Sequence, residues 1–429
     1  MSIVLLFGGS EQPVGSIEYT VEVQWKARNT DAIVFDSSTF GEGDTFVDPV
    51  SVDWDGLDVE EVNGIIQIRL SRGRDDNLSN FGMGECQITV EDTAGLYNPS
   101  NASSALFDYL RPMQFIRVKA QVTPLGGVPL PVEVVFEGLI RNIDYNRTPL
   151  RGVATFTCAD ALMYFNRSVP VFSNQLRDTA TGEVLTTILD VVGWSEDKRV
   201  VDTGDVIPDP GVSNQPGGGS ALSIMQSLMQ IARGDLYISR SGDFTFYDRD
   251  RRATAVDVAT YTNVATAATT TTDIDRVRNK ATVTRETTTG NFTSIWADGT
   301  SIADYGQQDF SSITSPIIYD QPQALALAQW LVYQRSNPLV PFRALETVVN
   351  TLGTAEGANE AIKSEIGDRV VVTNATLGQA AKAYYIEGVS HEIRTSAHTV
   401  RLALLPLYID SLVLNDASRG RLDFEALAY

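Results

Sequence analysis

Two stretches of this chain spell nearly the same phrase, "VVFEGLIRNI" from Val134 and "YYIEGVSHEI" from Tyr384. In each, three apolar or aromatic residues lead into Glu-Gly, an apolar residue follows, and the stretch closes on Ile. The two glycines, Gly138 and Gly388, stand 250 residues apart. Their surroundings match as well. Upstream, a strand-like "FIRVKAQV", a Gly/Pro loop, the phrase, a polar turn and "GVATFTCADAL" follow in order. Downstream the same order is filled by "GDRVVVTNA", a Gly/Ala loop, the phrase, a polar turn and "HTVRLALLPL". Ile116 to Gly138 and Ile366 to Gly388 are both spans of 22 residues. A glycine in mid-strand marks a bulge or sharp bend, as a small barrel needs at its corners. The chain therefore reads as one β unit written twice, and two similar small β-barrels are the expected architecture.

At 429 residues the chain has room for two to four domains. Its 43% hydrophobic and 20% charged content is that of a folded globular protein. Frequent Gly and recurrent Thr and Val lean toward β structure with many turns. "SIEYTVEVQWK" alternates strictly, with Ile17, Tyr19, Val21, Val23 and Trp25 on one face. Further alternating runs at "IIQIRL", "ECQITV", "MQFIRVKAQV" and "GVATFTC" complete a small barrel or sandwich. A turn built on Asp92, Gly95, Asn98 and Pro99 separates two of them.

After Asn166 the pattern changes. "TGEVLTTILDVVGW" has helical spacing at Val184, Ile188 and Val191/Val192. "SALSIMQSLMQIA" is a helix capped by Ser220, with Leu222, Met225, Leu228/Met229 and Ala232 as its stripe. "DLYI" and "FTFY" form a hairpin around "SRSGDF". The Thr/Ala-rich run 259–272 is a linker or an extended edge. "QPQALALAQWLVYQRSNP" is a further helix, with Pro322 in its first turn and Pro338 ending it. The fold class is mainly β with α+β insertions: two similar small β-barrel domains plus a smaller α/β domain. The boundaries are an N-terminal arm (1–16), a first barrel with an acidic loop insertion (17–166), an α/β insert with a Thr-rich linker (167–275), a second barrel with a helical insertion (276–410) and a C-terminal tail (411–429).

Candidate chemistry is sparse. The only histidines are His391 and His398. Ser390 and His391 are neighbours on one strand and point to opposite faces, so they cannot act together. Asp53, Asp55, Asp58, Glu60 and Glu61 form an acidic loop, but its Gly falls in the wrong register for an EF-hand. Asp248 and Asp250 are interleaved with Arg249, Arg251 and Arg252, which reads as ion pairing on a surface. "GGGSALS" precedes a helix but lacks the Lys-Ser/Thr of a nucleotide loop. Cys86 and Cys158 lie in apolar runs and read as buried free thiols. No catalytic, cofactor-binding or metal-ligating residue is assigned, and no cofactor is called for.

The formal net charge is −21, which argues against nucleic-acid binding but not against a surface that DNA must pass without sticking. No run approaches the 18 apolar residues of a membrane span, and the N-terminal "IVLLF" is too short for a signal core, so synthesis in a cytoplasm is expected.

Several stretches together resemble the baseplate hub, or minor tail protein, family of tailed bacteriophages. They are "GRDDNLSNFGMGECQITVEDTAGLYNPSNASSALFDYLRPMQFIRVKA", "FEGLIRNIDY" with "FTCADAL", "LMQIARGDLYISRSGDFTFYDR", "GDRVVV" with "YYIEGVSHEI", and "SLVLNDASRGRLDFEALAY". They occur in the family's order and cover most of 65–429; the first 60 residues match nothing in it. The resemblance implies a structural virion protein, made in the host bacterial cytoplasm and placed in the tail. It implies a homotrimer whose six tail-tube-like barrels adapt a sixfold tube to a threefold tip. It also implies a channel closed by the tape-measure protein's C-terminus, through which genomic DNA passes, with tail tube and tip or fibre proteins as neighbours. The acidic balance fits a lumen that repels phosphates. The enzymatic part that many relatives carry has no counterpart here, so wall degradation is not carried over. Two alternatives are a glycan hydrolase on a β scaffold and a carbohydrate-binding tip protein with Trp194 or Trp296 as a platform. Neither explains a unit written twice.

Overall fold

In the strand Gly15–Gln24 the alternation seen in sequence becomes a buried face: Ile17, Tyr19, Val21 and Val23 are fully buried. Each such side chain contributes about 1.5–3 kcal/mol relative to exposure. The computed structural model describes residues 2–7, 14–25, 54, 59–74, 81–149, 151–166, 179–204, 206–208, 220–249, 251, 255–262, 267–270, 274–287, 290–336, 342–374 and 379–406.

The first half contributes β1 (Ile3–Phe7), β2 (Gly15–Gln24), β3 (Val59–Glu61), β4 (Ile65–Gly73), β5 (Glu85–Glu91), β6 (Phe115–Pro124), β7 (Glu133–Arg147) and β8 (Gly152–Ala159). The insert that follows holds α1 (Thr181–Val192), β9 (Arg199–Val201), α2 (Ala221–Ala232), β10 (Asp235–Ile238) and β11 (Phe244–Tyr247). Next come β12 (Asp257–Thr262), β13 (Ala267–Thr270), β14 (Lys280–Arg285), β15 (Phe292–Ala297), α3 (Gly299–Tyr305), β16 (Ile313–Ser315) and α4 (Gln321–Arg335). The chain closes through β17 (Phe342–Val348), α5 (Ala355–Lys363), β18 (Arg369–Asn374), β19 (Gln379–Arg394) and β20 (His398–Pro406).

Fourteen strands form one sheet. Its path runs β2-β6-β7-β8-β5-β4 and continues without a break into β19-β20-β17-β13, with β18 and β12 branching from β19. Set side by side, the halves share one plan. β2, β6, β7, β8, β5 and β4 correspond to β12, β18, β19, β20, β17 and β13, in spatial order and in chain order. One pairing departs from the plan: β2 runs antiparallel to β6, whereas β12 runs parallel to β18.

The duplication extends to register. Val118 faces Phe136 across β6 and β7. Shifted by the same 250 residues, these become Asp368 and Ile386, whose backbones hydrogen-bond at 2.9 Å. The bends at the glycines differ in detail. In β19 the pairing with β20 is interrupted between Ile386 and Gly388, so Glu387 is bulged out. In β7 the interruption lies between Ile140 and Asn142, beyond the glycine. Gly138 instead serves close approach, since a Cβ there would sit 2.4 Å from the Ala159 carbonyl oxygen.

The sheet is mainly β as expected, but among the described residues neither half closes on itself as a barrel. The reason is β4, which pairs with β5 on one edge and β19 on the other. Hydrogen bonding therefore crosses from one half to the other, and a single core takes side chains from both, from Ile17 and Phe156 to Val389 and Leu402. A second core joins the two insertions. Ile188, Met225 and Phe246 of the first pack with Val283, Leu327 and Leu331 of the second.

The three helices expected from sequence, α1, α2 and α4, are present; α3 and α5 are additions to that reading. α2 is capped by Ser220, whose hydroxyl accepts from the Ser223 amide at 3.2 Å. α4 begins at an Asp320 cap, with Pro322 in its first turn. α1 buries Val184 and Ile188 as expected, but its stripe continues through Leu185 and Leu189, and Val191 is exposed. The Thr/Ala-rich run overlaps β12 and contains β13, both at margins of the large sheet. The tail 411–429 and Pro338 lie outside the described residues.

Candidate functional site: the seam between the repeats

The two repeated glutamates face the same task. Each sits in a long central strand, largely buried, and each meets a cation from another part of the chain. Glu387 receives the Arg74 guanidinium at 2.6 Å, and Arg74 also reaches Asp235 at 2.7 Å. All three side chains are almost completely buried. Glu137 receives Lys198 at 3.4 Å. Burial raises the Glu137 carboxyl above its usual range, and Lys198 opposes that shift.

Arg74 follows β4 directly, Asp235 opens β10, and Glu387 is the bulged residue of β19. One guanidinium thus ties the first half, the insert and the second half together. Its planar fork suits two carboxylates better than an ammonium would. It also lies over the Phe81 ring at 4.0 Å. Two residues back, at the end of β4, Arg72 donates to Glu365 at 2.6 Å and to the Ile238 carbonyl at 3.4 Å. The backbone bends to allow this: Gly73 has φ of +101°, and a Cβ there would meet the Glu387 carbonyl oxygen at 2.3 Å.

The β10–β11 turn completes the seam. Arg240 donates to Glu133 at 2.7 Å, and its amide donates to Glu365 at 2.8 Å. Gly242, at φ +83°, lies so close to Glu137 that a Cβ would fall 2.7 Å from its Oε1. Lys198 donates to the Ser241 carbonyl at 2.9 Å. The Tyr237 hydroxyl donates to the Ile366 carbonyl at 2.7 Å. Paired, buried charges of this kind hold parts in a fixed relation, and breaking one leaves its partner uncompensated. Their chemistry is mechanical.

The histidines lie elsewhere in the first core. His391 Nδ1 is 2.9 Å from His398 Nε2, and His398 Nδ1 is 2.6 Å from the Tyr19 hydroxyl. A hydroxyl proton donated by Tyr19 to Nδ1, followed by Nε2–H of His398 donating to His391, leaves one unpaired N–H, at His391 Nε2. The reverse direction leaves two groups unpaired. Burial holds both imidazoles neutral, with His398 pushed down to about 3. Ser390 is on the opposite face, against Ser71, so the two do not meet.

The remaining candidates are dispersed. Among the acidic-loop residues Asp53, Asp55 and Asp58 lie outside the described residues, and Glu60 and Glu61 are exposed on β3. Asp250 and Arg252 also lie outside them; Arg251 pairs with Asp202 at 3.1 Å. Trp194 is buried against Phe165 at 5.1 Å and offers no platform, whereas Trp296 is partly exposed. Cys86 and Cys158 are buried and unbonded, directly opposite each other on β5 and β8. A cleft of about 610 Å³ is lined in part by Asp202, Tyr247, Arg251 and Asp368. Burial raises Asp368 to about 6. Its acids are already engaged: Asp202 holds Arg251 and the Asp248 amide, and Asp368 accepts from the Glu365 amide. The Tyr247 ring is covered by the Arg251 guanidinium at 3.6 Å. Among the described residues no three His, Cys, Asp or Glu gather as a metal requires. No described helix is long and apolar enough to cross a membrane.

The seam was invisible in sequence. Glu387 and Arg74 are 313 residues apart, and only the repetition of Glu-Gly marked one side of it.

No protein-family model matches the chain, and no curated protein sequence matches it significantly. Solved structures do. A tail protein from Neisseria meningitidis superposes with a TM-score of 0.52 at 12% identity, covering 80% of this chain and 93% of its own. The 43 kDa tail protein of prophage MuSo2 from Shewanella oneidensis superposes with a TM-score of 0.51 at 13% identity, covering 82% and 96%. The chain has the fold of these two tail proteins.

Proposed function

We propose that the chain is a structural component of a phage tail: a trimeric hub at the distal end of the tail tube. The observation that carries this reading is the duplicated six-strand plan, with its shared order and register. Three chains would present six similar faces to a sixfold tube and three to a tip. The likeness to two tail proteins supports the same class of role. In this reading each half acts as one tube-like module, and the seam locks the two modules and the insert into one rigid subunit. The neighbours are the tail tube protein, the tape-measure C-terminus, and tip or fibre proteins. The protein resides in the virion tail and has no enzymatic step.

The solvent face of the sheet suits a channel wall. One cross-strand row reads Thr157, Gln87, Arg69, Glu392, Thr399 and Val348. Another reads Glu85, Ser71, Ser390, Arg401 and Glu346. Both signs of charge are interspersed with small polar groups, and Arg69 is paired with Glu392 at 3.0 Å. Such a face lacks the basic stripe that grips phosphates, so DNA would pass it without sticking. The acidity of the chain as a whole is not concentrated in these rows.

Light scattering and negative-stain imaging of the purified chain test the reading. The expected result is three times the chain mass and a ring with six lobes around a hole. A monomer that cleaves glycans would overturn it.

A further inference from the structure

The first half covers its outer edge with a strand that has no described counterpart in the second half. β2 pairs with β6 on one edge, and β1 covers the other from Gly15 to Tyr19, running antiparallel to it. β12 is the equivalent of β2. It pairs with β18 on one edge and, among the described residues, with no strand on the other. Beside that edge Val256 and Val258 are 76% and 50% exposed. Two cavities open next to them, the cleft of about 610 Å³ and a neighbour of about 400 Å³, and Tyr247, Val258 and Asp368 line both. The insert contributes to the second cavity the cross-strand row Val200, Thr245 and Tyr237. The second half contributes Ala259, Val370 and Lys363, where α5 ends.

We infer that residues 421–429 of the same chain lie along the open edge of β12 as an antiparallel strand and do for β12 what β1 does for β2. An unpaired edge is a template for a further strand, and the described chain ends within reach of this one. Pro406, the last residue of β20, stands in one cross-strand row with Tyr384, Val370 and Ala259. Three strand spacings, about 14 Å, separate it from β12. Residues 407–429 follow it, and about five extended residues cover that distance. The direction comes from the sheet. β20 is antiparallel to β19, β19 is antiparallel to β18, and β18 is parallel to β12. β20 and β12 therefore point the same way, so a tail that folds back beside β12 runs antiparallel to it, as β1 runs to β2. The tail supplies a fitting strand. In "RLDFEALAY" Leu422, Phe424, Ala426 and Ala428 alternate with Asp423, Glu425 and Leu427, which leaves one face wholly apolar. That face matches Val200, Tyr247 and Val258 in the cavities, and the face with both acids is left to solvent. The docked tail takes the exposed valines and the bare edge away from other chains. The inference concerns a single chain and does not depend on the hub reading.

Disulfide trapping in the full-length chain tests it. Thr260→Cys, at an exposed position in the middle of β12, is combined in turn with a cysteine at each position from 422 to 428. Cys86 and Cys158 are buried and supply no background. Oxidation is expected to close a disulfide within one chain, seen as faster migration at monomer mass on a non-reducing denaturing gel. Positions of one parity alone are expected to cross-link, because neighbours on a strand point to opposite faces. Cross-linking at no position, or equally at all of them, overturns the strand docking. A disulfide that forms only between chains overturns the intrachain assignment. Hydrogen exchange gives a second reading. Amides of 257–262 are expected to exchange at least about tenfold more slowly in the full-length chain than in one that ends at Gly420, while those of β2 keep their rates. The free peptide 418–429, added to the shortened chain, is expected to restore slow exchange. Equal rates in the long and short chains overturn the docking.

Discussion

Gly138 and Gly388 hold the same place in two copies of one phrase, yet they are needed for different neighbours. A side chain at Gly138 would strike the Ala159 carbonyl of β8, while one at Gly388 would press on the backbone oxygens of Arg72 and Arg74. The glutamates beside them show the same division: one phrase, two partners, Lys198 and Arg74. Arg74 is the residue on which most of the seam depends. Arg74→Ala leaves Glu387 and Asp235 without their shared cation, and is expected to cost about 3–5 kcal/mol of stability. Urea unfolding checks this, together with Asp235→Asn in a double-mutant cycle. A clear coupling energy between Arg74 and Asp235 is expected; additive effects would show that the pair contributes packing alone. The repeated Glu-Gly was legible as a pattern. Its partners were not, because ion pairing between residues 313 apart in sequence leaves no local signal.

At the scale of elements, the helices α1, α2 and α4 were the most legible part, whereas α3 and α5 were not read from sequence. α4 illustrates why: Asp320, Pro322 and the stripe through Ala328 and Leu331 are all local signals, and the Asp320 carboxylate accepts from the Gln323 amide at 2.8 Å. Asp320→Ala is expected to lower stability by about 1 kcal/mol, read as a shift in urea midpoint without change of slope. Asp320→Asn should retain most of it, since the amide oxygen accepts the same bond. The alternating strands β2 and β6 were equally readable. β13 was harder. Its Thr/Ala composition fits a linker and an edge alike, and what makes it a strand is its pairing with β17. The change of partner along β19 was not readable at all, since one strand sequence presents the same backbone groups to β18 and to β4.

For the whole molecule, the buried imidazole pair links folding to pH. The folded state keeps His398 neutral down to about 3 and His391 neutral well below its usual range. In the unfolded chain both take a proton below about 6.5. Their contribution to stability is therefore complete above about pH 7 and is lost as pH falls from 6.5 toward 3. Asp160, pushed up to about 7, and Asp368, at about 6, act with the opposite sign over much of that window. The informative quantity is a difference. Relative to a His391→Gln/His398→Asn variant, the wild type is expected to lose up to about 1.4 kcal/mol per histidine for each pH unit below 6.5. Urea midpoints at pH 7.5, 6.0 and 5.0 measure it; a constant difference would mean that neither imidazole titrates on unfolding.

The sequence alone determined what is local or periodic: the mainly β class, the buried faces of β2 and β6, the Ser220 helix cap, and the 250-residue duplication with its order of parts. Only the tertiary structure decided that the two units share one sheet through β4 and β19, that the two insertions share one core, and that Glu137 and Glu387 meet cations from other segments. The physical reason is that side-chain alternation encodes which face of a strand is buried. Every strand edge carries the same backbone donors and acceptors, so the choice of neighbour is made by the packed whole.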